Sequence, residues 1–402
     1  MPDAGRYLYP SVVMTPASAP HKGFRRYLRL LAALAAATVA AALASCGGGN
    51  QPDVMTMTAD SCGGAWHLGQ PGWHTFQIRN GNDVGGEVDL INPENGAIYA
   101  EIAGFGPLTT TPMTLNVGSG KYAFRCLFQD TDPMTGPTVI VSGHAKGQPA
   151  ILPVTYNDLI EPAKAYQNFV GTGLTVLLAK VTTLDSDIHA GNLTAARRDW
   201  LPAHLQYETL GAAYDAFGKF DDEIDGRADA VGVTSQKWTG FYRLEYGLWH
   251  GQSAGALKPT ADMLKSNVTE LLASWPHQEI ELIDVGLRTH EILENALQFQ
   301  LSGHDDYGSG TTLATTLANI AGTRELLSVL RPLLVPRYAA LPAAYTWLDR
   351  LQSALEKEHL PSGQWVPVSQ LPGPARQQID ADCDQALTEL APIASITEPR
   401  NT

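Results

Sequence analysis

The chain contains 402 residues, 44% hydrophobic and 17% charged, so it can form two or three globular domains and is not intrinsically disordered. Its formal net charge is −14, and it becomes more negative if residues 1–45 are removed, because they carry five of the 27 Lys and Arg residues and one of the 41 Asp and Glu residues. This acidity argues against nucleic acid and anionic lipid as partners and is compatible with cations, although acidity also serves solubility alone.

The N-terminal segment has the layout of an export signal. Basic residues that include Arg25 and Arg26 precede an apolar run, Leu30–Leu43, which is too short to span a bilayer comfortably. The sequence "LASC" that ends at Cys46 resembles a bacterial lipobox. It implies that residues 1–45 are a lipoprotein signal peptide, that Cys46 is lipidated and that residues 46–54 form a tether to the membrane. The arginine pair leaves the twin-arginine export route open beside the general one.

Hydrophobic periodicity divides the rest of the chain in two. Between residues 55 and 145, short alternating runs such as "WHTFQIRN", "GEVDLIN" and "KYAFRCLF" predict a small β-sandwich. Residues 146–157 are the predicted linker. From 158 to 395 the apolar residues recur at intervals of three and four, which predicts an all-α bundle, and residues 396–402 are the predicted tail.

Cysteine chemistry and known catalytic patterns narrow the choice of function. Besides Cys46, the chain has Cys62, Cys126 and Cys383, and an odd number in an oxidising compartment implies a free thiol or a metal ligand. The segment "HEILEN" lacks the second histidine of a zinc-peptidase helix, because Glu294 occupies that position.

Acidic residues and histidines on the predicted helices remain as candidates for a metal site. Helical bundles build such sites by directing these groups inward, whereas the alternative for each is a solvated helix face or a capped helix end. The candidates are His204 with Glu208 four residues apart, Asp221, Asp222 and Asp225 in an acidic loop, Glu245, and His290 with Glu294.

Three segments in this order resemble the imelysin-like domain of EfeO iron-uptake proteins, including EfeM/EfeO-type lipoproteins: "WLPAHLQYETLGAAYDAFGKFDDEIDGR", "TGFYRLEYGLWHG" and "LSGHDDYGSG". The first domain is similar to the cupredoxin-like domain that precedes the bundle in that family. The resemblance implies a non-enzymatic protein, lipid-anchored outside the cytoplasm, that binds Fe²⁺ or Fe³⁺ and delivers it to an Efe-type membrane permease, with a haem peroxidase as a further partner. Two other classes stay open: an imelysin-like metallopeptidase, and an envelope protein that binds acidic polysaccharide through a metal.

The resemblance also implies a set of metal ligands. Glu208, Asp225 and Glu245 match acidic positions of the family, and Glu294 matches one on a later helix. Tyr242 stands where the family signature has histidine. We therefore expect a site with only oxygen ligands and a preference for a hard cation such as ferric iron. The alternative is that the phenol of Tyr242 stays neutral and packs in the bundle.

In the first domain, the resemblance implies a second site. Cys62, Glu87 and Cys126 would form this site, with Asp89 or Glu101 nearby. Copper or another divalent cation is the ion considered beside iron, although no set of histidines and cysteine supports a blue-copper centre. The alternative is a disulfide between Cys62 and Cys126 that staples the sandwich.

Overall fold

The computed structural model describes residues 54–129 and 131–400, so the predicted signal peptide, the tether and Cys46 lie outside the described residues. A β-sheet region is followed by a helical region, which confirms the predicted fold class. Within the described ranges, no helix has both the length and the apolar character needed to cross a membrane.

Two sheets pack face to face in the first region. One has the strand order β1-β2-β5, and the other has the order β4-β3-β6-β7, with β8 also paired to β6. Their shared core contains Met57, Ile78 and Leu115 from the first sheet and Val88 and Phe124 from the second. The strands are β1 (Val54–Met57), β2 (Gly72–Asn80), β3 (Gly86–Ile91), β4 (Ile98–Phe105), β5 (Thr110–Val117), β6 (Gly120–Phe128), β7 (Met134–Thr135) and β8 (Val139–Val141).

The predicted cysteine and glutamate site of the first region is not assembled. Cys62 and Cys126 form a disulfide, so neither sulfur is a free thiolate. Cys126 of β6 pairs with Val88 of β3, and both side chains lie in the core. Glu87, the residue before Val88 in β3, pairs with Leu127. Since neighbouring residues of a strand point to opposite faces, Glu87 lies on the other face of the sheet from the disulfide.

The helical region packs around one continuous apolar core that includes Tyr166, Leu177, Trp200 and Phe241. The N-terminus of α1 is fixed by a reciprocal capping box between Thr155 and Asp158. The helices are α1 (Tyr156–His189), α2 (Leu193–Glu208), α3 (Tyr214–Phe217), α4 (Lys219–Asp225), α5 (Gly240–Trp249), α6 (Ala254–Ser274), α7 (Asp284–Asn295, continued by a π-turn over Ala296–Gln300), α8 (Thr312–Leu334), α9 (Leu341–Glu356), α10 (Gly373–Leu390) and α11 (Pro392–Thr397).

The acidic stretch before α5 is helical, so its prediction as a loop is wrong. Asp221 and Asp222 lie in the first turn of α4, where carboxylates interact favourably with the helix dipole. Gly240 begins α5 with a φ of +83°, and a Cβ there would lie 2.1 Å from the carbonyl oxygen of Ile224. Only glycine permits this close approach, which brings the start of α5 against the end of α4, where Asp225 lies.

The predicted linker and tail join the two regions. Arg337 donates to two carbonyl oxygens of the linker, at 3.0 and 2.8 Å. Near the C-terminus, Arg400 forms an ion pair with Glu101 of β4 at 3.0 Å. In the described part of residues 396–402, Ile396 and Thr397 belong to the last helix, and Arg400 contacts the sandwich.

Candidate metal centre

Three side chains from two helices converge in the interior of the bundle. His204 and Glu208 are one turn apart on α2, and Asp225 is the last residue of α4. The Nε2 atom of His204 lies 3.1 Å from Oε1 of Glu208 and 3.0 Å from Oδ1 of Asp225. The side chain of His204 is 1% exposed, that of Glu208 4% and that of Asp225 12%, so the cluster is almost closed to solvent.

The three donor atoms are arranged as ligands around a shared point. Neither contact of His204 Nε2 has the geometry of a hydrogen bond, and Oδ1 of Asp225 is buried without a hydrogen-bond partner. Ligands placed about 2.1 Å from an ion in octahedral geometry lie about 3.0 Å from one another. The two observed separations match that spacing, and they equally suit an ion pair between a protonated imidazole and the two carboxylates.

The cluster also has unusual proton affinity. Burial alone lowers the pKa of His204, but the carboxylates of Asp225 and Glu208 outweigh it and raise the pKa to about 10. Burial raises the pKa of Asp225 to about 8, although His204 opposes the shift. At neutral pH, these buried groups therefore retain at least one proton. A multivalent cation that replaced this proton would find one imidazole nitrogen and two carboxylate oxygens.

A cavity of about 250 Å³ lies against this cluster, and acidic side chains dominate its wall. Six carboxylates line it together with two guanidinium groups: Glu208, Asp215, Asp221, Asp222, Asp225 and Asp305, with Arg227 and Arg288. Burial raises the pKa of both Asp221 and Asp305 to about 6. The surplus of negative charge, set in a largely buried space, favours a cation over an anion.

Neighbouring residues hold the Glu208 carboxylate in position. The amide of Asn319 on α8, with its nitrogen facing Glu208, donates to Oε2 at 3.0 Å and to the carbonyl oxygen at 3.2 Å. The imidazole of His204 is held among three aromatic rings, with centroid distances of 4.9 Å to Trp200, 5.2 Å to Phe241 and 5.1 Å to Tyr242. These contacts hold the donors in place before any ion arrives.

Tyr242 faces the cavity but is not one of the three converging groups. Its hydroxyl donates to Oδ2 of Asp305 at 3.3 Å, and its ring packs against Trp238 and Tyr307. Burial and the surrounding carboxylates raise its pKa well above the ordinary value. The structure thus has the neutral, packed phenol. The three converging groups include the imidazole nitrogen of His204 beside two carboxylates, in place of the oxygen-only set expected from the sequence.

Glu245 lies on the same helix and has different partners. Its Oε1 atom accepts from the backbone nitrogens of Tyr307 at 3.2 Å and Ser309 at 2.9 Å. Burial raises its pKa to about 7. Glu245 is not in the group of donors that lie within 4.8 Å of one another, which contains only His204, Glu208 and Asp225. Glu245 thus ties α5 to the loop that carries Asp305.

Of the other predicted ligands, Glu294 points away from the centre. Its side chain is 56% exposed, and Oε1 lies 4.0 Å from Nε2 of His290. His204 and Asp305 were not among the ligands that the resemblance implied. His204 was a candidate only through its i,i+4 spacing to Glu208, and nothing local in the sequence distinguishes Asp305, which is buried, from its neighbour Asp306.

In the β-sandwich, Glu87 lies with Asp89 and Glu101, and donor atoms of the three fall within 4.8 Å of one another. Burial raises the pKa of Glu87 to about 7. This group already has cationic partners, since Arg125 pairs with Asp89 at 2.8 Å and Arg400 with Glu101 at 3.0 Å. Its carboxylates are therefore better neutralised than those of the cavity.

Comparison with known proteins agrees with the sequence resemblance. The model of the family described as imelysin (Peptidase_M75) matches residues 162–394. The iron uptake system component EfeO of Yersinia pestis is 26% identical over 261 residues, which cover 64% of this chain and 68% of that protein. EfeO of Escherichia coli O157:H7 is 25% identical over 303 residues, covering 73% and 79%, and EfeM of Pseudomonas syringae pv. syringae is 28% identical over 182 residues, covering 44% and 62%. The chain belongs to the imelysin family.

Proposed function

We propose that this protein is a component of an iron uptake system and binds iron through His204, Glu208 and Asp225. The convergence of these three donors at 3.0 and 3.1 Å carries the proposal. Similarity to proteins named iron uptake components supports iron as the ion. One nitrogen and two oxygen donors leave further coordination positions open toward the cavity, where water or a receiving protein can supply ligands.

The proposed role is capture and delivery, without catalysis. The lipobox-like sequence at Cys46 supports a lipid anchor on the extracytoplasmic face, and an Efe-type permease is the proposed receiver, with a haem peroxidase as a second partner. The cavity beside the three donors gives the ion a path into and out of the site, which a fully enclosed site would lack. After release, protons on both His204 and Asp225 balance the charge of Glu208, so the empty site does not leave two buried carboxylates uncompensated.

Equilibrium binding of Fe²⁺ under anaerobic conditions, and of Fe³⁺ from a chelate, tests the proposal. Glu208→Gln removes one ligand charge and keeps the side-chain shape, so we expect a loss of affinity of about a hundredfold or more. The matched control is Glu294→Gln, a substitution at an exposed carboxylate outside the cavity, which should bind iron as the natural chain does. Equal affinity of the two variants would contradict the assignment.

The family description as a peptidase makes metal-assisted hydrolysis the second candidate. The chain contains Gly-Gln-Ser-Ala-Gly at 251–255, the spacing of a serine hydrolase elbow. Ser253 follows a helix, however, and its hydroxyl caps α6 by accepting from the backbone nitrogen of Ala256. Metal-dependent peptide cleavage that disappears in Glu208→Gln would favour the hydrolase over the uptake component.

Binding of acidic polysaccharide is the weaker alternative, since the carboxylates of the cavity would repel it unless a cation bridged them.

A further inference from the structure

A second cluster of metal-ligating side chains lies on a different part of the bundle surface. Asp185 and His189 are one turn apart near the end of α1, and Asp262 lies on α6, which packs along α1. Donor atoms of the three side chains fall within 4.8 Å of one another. This group shares no residue with the cavity, and the proposed iron site does not use it.

The donor atoms of this cluster are close enough to share one ion. Nε2 of His189 is hydrogen-bonded to Oδ1 of Asp262 at 2.9 Å and lies 3.5 Å from Oδ1 of Asp185. Ligands about 2.1 Å from a tetrahedral or octahedral ion lie roughly 3.0–3.4 Å apart, so an ion at the centre requires only small side-chain movements.

One oxygen of the cluster has no partner. The Asp185 side chain is 8% exposed, and its Oδ2 atom accepts from Lys265 at 2.9 Å. Its Oδ1 atom is buried without a hydrogen-bond partner and faces His189. A buried carboxylate oxygen left unpaired is costly, which indicates that a ligand is missing at this position.

The charges permit a divalent cation and limit its affinity. Lys265 pairs with the Asp185 carboxylate, so the charge of Asp262 is left without a lysine partner. The side chains of His189 and Asp262 are 41% and 61% exposed, so water can fill the remaining coordination positions. One imidazole and two carboxylates suit Zn²⁺, Co²⁺ or Ni²⁺.

We propose that Asp185, His189 and Asp262 bind one divalent transition-metal ion that links α1 to α6. Such an ion bridges two long helices, and it stabilises the folded bundle by an amount that grows with the logarithm of the free-ion concentration above the dissociation constant.

The test is equilibrium dialysis of tag-free protein against Co²⁺, with the visible absorption of the bound ion as a second readout. Glu208→Gln first weakens the cavity site, so that the surface cluster is measured alone. We expect this variant to retain one bound Co²⁺ per chain. Adding Asp262→Asn, at an exposed position, should weaken that remaining binding about tenfold or more.

Glu270→Gln, added to Glu208→Gln, is the matched control, because Glu270 is an exposed carboxylate further along α6. It should leave Co²⁺ binding unchanged. The proposal is overturned if Glu208→Gln binds no Co²⁺ below millimolar concentration, or if Asp262→Asn binds it as tightly as the control. Failure of the cavity site would instead appear as equal Co²⁺ stoichiometry in the natural chain and in Glu208→Gln.

Discussion

Iron binding at the cavity should be coupled to proton release, and His204→Gln is the perturbation that isolates this coupling. At pH 7 the imidazole, with a pKa of about 10, is protonated, and Asp225, with a pKa of about 8, shares the same buried space. An ion that replaces these protons releases about one to two of them. The association constant should then rise about tenfold to a hundredfold for each unit of pH between 6 and 8.

In His204→Gln, the imidazole proton is absent, so the slope of log K against pH should fall by about one. The assay is competition between the protein and a chromophoric chelator for Fe²⁺, performed without oxygen at pH 6, 7 and 8. Glu294→Gln is the control and should keep the slope of the natural chain. If His204→Gln and the natural chain have the same slope, the ion does not displace the proton of the imidazole, and the reasoning is refuted.

Three further predictions concern neighbouring groups. Tyr242→Phe removes the hydrogen bond to Asp305 and should lower the free energy of unfolding, measured by urea titration, by about 1 kcal/mol. With Fe³⁺ bound, neither the natural chain nor this variant should have a phenolate-to-iron charge-transfer band. Glu245→Gln should make the protein more stable at pH 9 by up to about 3 kcal/mol, because a carboxyl with its pKa raised to about 7 loses folded-state stability as the pH rises through that value; equal pH dependence of unfolding in both chains would contradict this. Replacing Cys62 and Cys126 by serine removes a disulfide that joins positions 64 residues apart and should lower the free energy of unfolding by about 4 kcal/mol. Iron affinity should not change. A loss of affinity would mean that these residues take part in metal binding.

The fold was largely predictable because its signals are local. Strict alternation marks the strands, and apolar residues at three- and four-residue spacing mark helices such as α1. The short helix α4 was missed because seven residues with four acidic side chains give little periodicity. The end of α4 lies against Gly240, whose backbone conformation permits the close approach of α5, and this contact is tertiary.

The residues of the candidate cluster were named from the sequence on different grounds. Glu208 and Asp225 were proposed as ligands from the resemblance, His204 was only a candidate through its spacing to Glu208, and Tyr242 stands where the family has its histidine. The structure brings His204 from α2 to the cluster, and the ring of Tyr242 packs against it. Convergence of side chains from different helices depends on crossing geometry, which periodicity within one helix does not encode.

The position of iron in crystals of the loaded protein tests the central claim most directly. An anomalous difference map recorded at the iron absorption edge should contain a peak about 2.0–2.3 Å from His204 Nε2, Glu208 Oε1 and Asp225 Oδ1 together. A peak bound by Tyr242 and Glu245 without His204, or no ordered iron in the cavity, would contradict the account.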